Sequence, residues 1–230
     1  FIVGRPFIAK MVNNIAALNI LSKLGKSALS SLTDISTAAM TLNHMGVGYL
    51  DAYKGLLLNI GRQVPQAERN YVYRMLGVGA DTILGSAASR FTIDDAIPGM
   101  MSDAVDKFFH YNGLNAWTDW SREAFSTMAS MHFAKQLSKN WDNIQPEFKR
   151  VAEQYGIDAR DWAKLQEAGT FKVSDLAKNE PQLKGHNFSN EAFFTPDWVT
   201  KQLGPGEARL ADKVSLFFVN ESRIGVPEIG

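Results

Sequence analysis

Residues 195–227 read TPDWVTKQLGPGEARLADKVSLFFVNESRIGVP, and this stretch decides the fold class. Thr195 followed by Pro196 indicates a helix start, because a threonine hydroxyl caps helix amides and proline is tolerated at the first helical position. Between about residues 206 and 224 the large apolar side chains recur at helical spacing, at Leu210, Val214, Phe217 and Phe218. Pro227 then stops the helix, since proline cannot continue the hydrogen-bond ladder. The stretch therefore predicts two successive helices.

The same helical period extends outward through the rest of the chain. The residues that predict helix boundaries are Pro65, Pro146 and Asp158 at starts, and Gly25, Gly46, Gly61 and Gly169 at ends. No stretch shows the alternation of apolar and polar residues that is typical of a half-buried strand. We therefore predict an all-α fold, an irregular multi-helix bundle of roughly nine or ten helices without a sheet.

Residues 92–101 interrupt the helical pattern and divide the chain into two predicted subdomains. The stretch contains Asp94, Asp95, Pro98 and Gly99, which are residue types typical of loops. We predict a basic helical subdomain over residues 1–91 and an acidic one over 92–230. The first 90 residues have nine Lys and Arg against four acids, and the remainder has fifteen against twenty. This asymmetry indicates either a nucleic-acid or membrane contact, or two halves that complement each other.

Sites for catalysis or metal binding are not apparent in the sequence. The chain has no cysteine, which excludes disulfides and thiolate metal sites. Its four histidines lack the spacing of a zinc-binding helix, and His132, beside Met128 and Met131 on an apolar face, is predicted to be a core or boundary residue. Glu221-Ser222 resembles the catalytic pair of lytic transglycosylases, but only eight residues follow it and no supporting motif does. We predict no enzymatic activity, no cofactor and no metal.

Tryptophan occurs five times and recurs near predicted helix starts. Such rings can stack on single-stranded nucleic acid, but here they are not interleaved with Lys and Arg in a stripe, so we interpret them as core residues. Trp117 and Trp120 follow a break at Gly113 and precede a long amphipathic helix, for which Asn115 or Thr118 is a candidate cap. The predicted structural anchors of this junction are Gly113, Trp117, Thr118, Trp120 and Arg122.

Three segments of the chain resemble one helical region of very long phage proteins. Residues 113–122 read Gly-Leu-x-x-Trp-Thr-x-x-x-Arg and are preceded by Asp-Lys-Phe-Phe at 106–109. Together with residues 24–35 and 217–227, they resemble large polyvalent proteins, which are called internal virion proteins when packaged in the head. The segments span most of the chain in the expected order. Members of this group carry enzymatic modules elsewhere in their chains, so the resemblance here implies no activity.

The resemblance implies a structural and assembly module of a phage internal virion (ejection) protein. Such a protein lies in the capsid interior and, after ejection with the DNA, in the host cell envelope or cytoplasm. The partners expected are copies of the chain and other virion proteins, with the portal and packaged DNA as further candidates. Because the sequence starts at Phe1 and ends on Ile229-Gly230, we expect a fragment of a much longer chain.

The alternative is a membrane-interacting helical module that aids genome translocation across the host envelope. Residues 1–62 carry six Lys and Arg against two acids and contain three predicted apolar helix faces. A few such helices cannot bury all their apolar surface alone, so they must pack on the rest of the chain, a neighbour or lipid. The cationic residues predicted to contact a partner or a membrane are Arg5, Lys10, Lys23 and Lys26.

Overall fold

The structure is a computed structural model that describes residues 35–56, 64–78 and 114–227; for residues 114–118 and 182 it describes the backbone alone. Nine α-helices lie in these ranges: α1 (35–44), α2 (Tyr49–Lys54), α3 (Gln66–Met75), α4 (Leu114–Leu137), α5 (Pro146–Gln154), α6 (Ala159–Ala168), α7 (Val173–Leu176), α8 (Pro196–Leu203) and α9 (Ala208–Gly225). Within the same residues, β structure is limited to an isolated bridge between Phe171 and Phe193. The predicted all-α, multi-helix fold is confirmed.

Side-chain caps start two of the helices where the sequence predicts them. The Asp158 carboxylate accepts hydrogen bonds from the amides of Arg160 and Asp161 at 2.8 and 2.9 Å and begins α6. The Thr195 hydroxyl accepts from the amide of Trp198 at 3.2 Å and begins α8. In both cases the side chain satisfies amides that have no partner within the helix.

Two tryptophan indoles satisfy carbonyl groups at the ends of other helices. Trp162 of α6 donates its indole N–H to the carbonyl of Lys139, just after α4, at 3.0 Å. Trp198 of α8 donates to the carbonyls of Ala168 and Gly169 at the end of α6, both at 3.1 Å. The last carbonyls of a helix lack intrahelical donors, so these indoles fix the end of α4 against α6 and the end of α6 against α8.

Phe133 of α4 lies at the centre of the core, fully buried. Its ring lies between 4.8 and 5.6 Å, centroid to centroid, from the rings of Phe148, Trp162, Phe194, Phe217 and Phe218. These rings come from α5, α6, the segment before α8, and α9. The interpretation of tryptophan as a core residue is confirmed for Trp162, which is 1 % exposed.

Helices α4 and α9 run antiparallel in close contact. Phe125 lies against Gly225, and Ser126 lies against Ser222, where the two hydroxyl oxygens are 3.4 Å apart. A β-carbon at Gly225 would lie 2.5 Å from the Phe125 ring, so the absence of a side chain there permits the close approach.

Two sequence interpretations need correction. Leu114–Leu137 are helical, so Asn115 and Thr118 lie inside α4 and neither is its cap. The irregular composition of residues 170–195, with Pro181 and Gly185 among them, indicates a long loop, but this segment contains α7 and a 3₁₀ turn at Pro181–Leu183. The apolar Val173 and Leu183 on these short elements are buried in the core, which explains why the segment folds locally.

The predicted boundary between residues 91 and 92 lies outside the described residues and stays a prediction. The parts described on either side of it are in contact. Helix α3 packs on α4, where the Arg69 guanidinium is 2.8 Å from the Glu123 carboxylate. Buried residues from both parts belong to one hydrophobic core.

Candidate functional site

Of the five predicted anchors, the structure describes the side chains of Trp120 and Arg122. Arg122 is buried, and its Nε donates a long hydrogen bond of 3.4 Å to the carbonyl of Val226, just after α9. Trp120 is half-buried on α4. Gly113 and the side chains of Trp117 and Thr118 lie outside the described residues. The role of Arg122 is therefore to join the first part of α4 to the end of α9.

The four cationic residues predicted to contact a partner or membrane are Arg5, Lys10, Lys23 and Lys26. All four lie outside the described residues, as do Asp94 and Asp95 of the predicted interdomain loop. Their roles stay predictions. The later part of the predicted contact segment, residues 35–56, is described and shows which of its side chains face solvent.

Large apolar side chains are exposed on both α1 and α2. Met40 of α1 is 63 % exposed and Leu50 of α2 is 66 % exposed, while Tyr49 is 37 % exposed and its ring stacks on that of Tyr53 at 6.1 Å. We define the α1–α2 surface as Met40, Tyr49 and Leu50. The opposite faces of both helices are buried in the core, through Ile35, Ala39, Leu42 and Ala52, and Leu56 just after α2 is buried as well.

Helix α9 also exposes two apolar side chains. Leu216 is 54 % exposed and Ile224 is 58 % exposed, on the side of the helix away from the buried Phe217 and Phe218. Arg223 and Asp212, which are charged, share this solvent-facing side. The mixture of charged and apolar residues is typical of a solvated helix face, and α2 shows the same mixture, with Asp51 and Lys54 exposed near Leu50.

Polar side chains of α4 make specific contacts with the segments packed around it. The Ser130 hydroxyl donates to the carbonyl of Phe194 at 2.8 Å and accepts from the amide of the same residue at 3.1 Å. Gln136 donates to the side chain of Gln145 at 2.6 Å and accepts from its amide at 3.2 Å. Because each pair is buried or partly buried, these bonds set the register of α4 against its neighbours.

His132 of α4 contacts the chain at the end of α1. Its Nε2 lies 2.9 Å from the carbonyl oxygen of Met45, and since a carbonyl can only accept, Nε2 carries the proton. Burial is the largest cause that lowers the pKa of His132, to about 4, although the bond to Met45 opposes the shift. The imidazole is therefore neutral at pH 7. The prediction of a satisfied core or boundary histidine is confirmed.

Glu68 of α3 is completely buried and holds a distant segment of the chain. Its two carboxylate oxygens accept hydrogen bonds from the amide and the hydroxyl of Ser189, at 2.7 and 2.9 Å. Burial raises the pKa of Glu68, the bonds from Ser189 oppose this rise, and the Glu191 carboxylate adds to it. Glu68 thus fixes the segment before α8 onto α3.

Glu123 of α4 is a second carboxylate used in packing. It accepts a hydrogen bond from Nε of Arg69 at 2.8 Å, and the same guanidinium donates to the carbonyl of Val64 at 2.8 Å. Burial raises the pKa of Glu123, while the charge of Arg69 and its hydrogen bond oppose the rise. This arrangement joins α3 to α4.

Glu221, the residue compared above with a transglycosylase acid, is 4 % exposed on α9. It accepts a hydrogen bond of 2.8 Å from the hydroxyl of Tyr155, which follows α5. Burial raises the pKa of Glu221, and the Tyr155 bond and His44 oppose the rise. Burial and the bond to Glu221 raise the pKa of Tyr155 well above its usual value. The pair joins α5 to α9.

In residues 35–56, 64–78 and 114–227, no three His, Asp or Glu side chains are grouped closely enough to hold a metal ion. No helix in that part of the chain is long and apolar enough to cross a membrane.

The sequence does not predict the hydrogen bonds between Glu68 and Ser189. The two residues are separated by 121 positions, so no local pattern connects them. The sequence offers one indication of this contact: Glu68 lies on the face of the amphipathic α3 that is buried.

No protein family, no curated protein and no solved structure matches this chain.

Proposed function

We propose that this chain is a structural and assembly module of a phage internal virion protein, packaged in the particle and delivered with the DNA into the host. It associates with copies of itself, together with other virion proteins, through the α1–α2 surface. The observation that carries the assembly role is the exposure of Met40 and Leu50. Covering large apolar side chains removes them from water, which favours association.

The contacts of the buried carboxylates support packing over catalysis. Glu68, Glu123 and Glu221 are bonded to Ser189, Arg69 and Tyr155, respectively. A general acid or base must reach a proton of the substrate. These carboxylates instead hold helices together, and we propose that the chain has no catalytic centre. Glu221→Gln should therefore leave any cell-wall lysis by the parent protein unchanged, and loss of lysis with a folded variant would contradict the proposal.

The virion part of the proposal rests on the resemblance of residues 24–35, 113–122 and 217–227 to phage internal virion proteins. Mass spectrometry of purified phage particles whose genome encodes this chain tests it directly. Peptides of the chain should be found in DNA-filled particles and be depleted after DNA ejection. Absence of the peptides from DNA-filled particles would contradict a packaged role.

A photo-crosslinking amino acid placed at residue 50 tests the contact surface. Residue 216 is the matched control, because Leu216 is 54 % exposed and Leu50 is 66 % exposed. In intact particles, crosslinks from position 50 to a second copy or another virion protein are expected, at a yield well above that from position 216. Equal crosslinking yields from positions 50 and 216 would contradict the proposal that the α1–α2 surface is the contact region.

A second candidate function is contact with a membrane. Tyr49 and Leu50 are exposed next to the exposed Lys54, and an aromatic, an aliphatic and a cationic side chain together are typical of interfacial helices. Flotation with vesicles of phosphatidylcholine and phosphatidylserine tests this function. Binding that requires phosphatidylserine and weakens with salt would favour it. Absence of binding at low salt would favour protein assembly.

A further inference from the structure

A surface pocket of about 530 Å³ lies between α3 and residues 183–187. Helix α3 contributes Gln66, Asn70 and Arg74 to its lining, and the facing segment contributes His186 and Asn187. The volume falls in the range of small-molecule sites, roughly 300–1,000 Å³. None of the functions considered above uses this pocket.

Both ends of the facing segment are fixed to the protein. Leu183 is 1 % exposed, and Ser189 is bonded to the buried Glu68 of α3. Between these points the chain turns at Gly185, whose φ of +82° favours glycine. The pocket wall opposite α3 is therefore held at two points by the core.

The lining combines a guanidinium, an imidazole and three side-chain amides, and it contains no carboxylate. Glu68 is the acid of α3, and it lies away from the pocket, because both of its oxygens accept bonds from Ser189. Nε of Arg74 donates to the carbonyl of Asn70 at 3.2 Å, which holds the guanidinium along the helix. The pocket thus presents hydrogen-bond donors from two separate elements, together with the positive charge of Arg74 on α3.

We propose that this pocket binds a phosphate group. Arg74 would supply the charge, because a guanidinium matches the geometry of phosphate oxygens, and the amides of Gln66, Asn70 and Asn187 would donate further hydrogen bonds. The phosphate belongs either to a small phosphorylated molecule or to a nucleic-acid backbone. The inference is independent of the proposed assembly role, since the pocket residues are not part of the α1–α2 surface.

Isothermal titration of the chain with inorganic phosphate, adenosine monophosphate and a ten-residue oligothymidylate tests the proposal. At least one probe should bind saturably, with a dissociation constant below about 10 mM. Arg74→Gln should weaken that binding at least about tenfold, as expected for loss of a charged contact to phosphate. Arg150→Gln, which changes an exposed arginine on α5, should bind like the unmodified chain.

The pattern of affinities identifies the source of the phosphate. Oligothymidylate binding that is tighter and more salt-sensitive than binding of the monophosphate indicates a nucleic-acid backbone, and the reverse order indicates a small molecule. His186→Gln serves as a second variant if Arg74→Gln changes the melting temperature. Absence of saturable binding by all three probes would overturn the proposal. Equal affinity of the Arg74, His186 and Arg150 variants for the phosphate probes would also overturn the proposal.

Discussion

His132 joins two helices through one hydrogen bond, and its contribution to the stability of the fold depends on pH. Its imidazole donates to the carbonyl of Met45, whose chain segment ends α1, and burial keeps the ring neutral. A protonated ring at this place would be a partly buried cation, with Lys135 and Lys139 as nearby like charges. The protonated ring would still donate to Met45, so acid is expected to lower the stability of the fold by charging a buried group and not by breaking this bond.

The pH dependence of unfolding tests this role of His132. Its pKa is lowered from 6.5 to about 4, so the unfolded chain takes up the proton first as the pH falls. The stability that the neutral ring contributes is complete above pH 6.5 and is lost between pH 6.5 and 4, by up to about 3 kcal/mol. In urea unfolding, His132→Gln should lack this loss, because glutamine can donate to Met45 without titrating. The same pH dependence in both proteins would contradict the assignment.

We expect Glu68 to stabilise the fold through the hydrogen bonds that its oxygen atoms accept and not through its charge. Since burial raises its pKa, the ionised form costs stability, and this cost is relieved as the pH falls through the raised pKa. Glu68→Gln keeps an acceptor for Ser189 and should be close to neutral at pH 7. Glu68→Ala leaves the amide of Ser189 without its acceptor and should cost about 1–3 kcal/mol in urea unfolding. A Gln variant as unstable as the Ala variant would show that the charge is what matters.

At the scale of the elements, side chains of one helix donate hydrogen bonds to carbonyls at the end of an earlier helix. Trp162 and Trp198 donate to carbonyls at the ends of α4 and α6. Gln166 of α6 adds bonds of 3.0 Å to the carbonyls of Leu137 and Lys139. These donors satisfy carbonyls that have no partner within their own helix, and they fix the end of α4 against α6 and the end of α6 against α8.

The close approach of α4 and α9 gives a prediction at Gly225. In Gly225→Ala the new β-carbon would lie 2.5 Å from the buried Phe125 ring, which cannot move without disturbing the core. We expect a loss of about 1–3 kcal/mol, larger than the gain of about 1 kcal/mol from alanine's helix propensity. Gly206→Ala is the matched control, because no atom lies within 4 Å of its β-carbon position. Equal melting temperatures for the two variants would contradict the packing described for α4 and α9.

Helix boundaries were the part of the structure that could be predicted best. The caps at Asp158 and Thr195 act within three residues along the chain, so their local pattern is visible in the sequence. The start of α4 was misjudged, because helix residues also precede Thr118 and no cap signal excludes them. Contacts such as Glu68 with Ser189 depend on how distant segments meet, and no periodicity encodes that.

At the scale of the molecule, the described helices share one core centred on Phe133. Aromatic rings from α4, α5, α6 and α9 meet there, and buried residues of α1, α2 and α3 belong to the same cluster. The sequence predicted the fold class because apolar spacing alone determines it. It could not predict that Leu50 remains on the surface, since helical spacing groups Leu50 with Tyr53, whereas the structure buries Ala52 and Leu56.

Assembly through the α1–α2 surface is the central claim, and sedimentation velocity tests it most directly. The chain should associate with itself as its concentration rises through the micromolar range. Leu50→Lys should weaken that association at least about tenfold, because a buried charge replaces a buried apolar contact. Leu216→Lys, the matched control on α9, should associate like the unmodified chain. A chain that stays monomeric at all concentrations, or a Leu50→Lys variant that associates unchanged, would contradict the account.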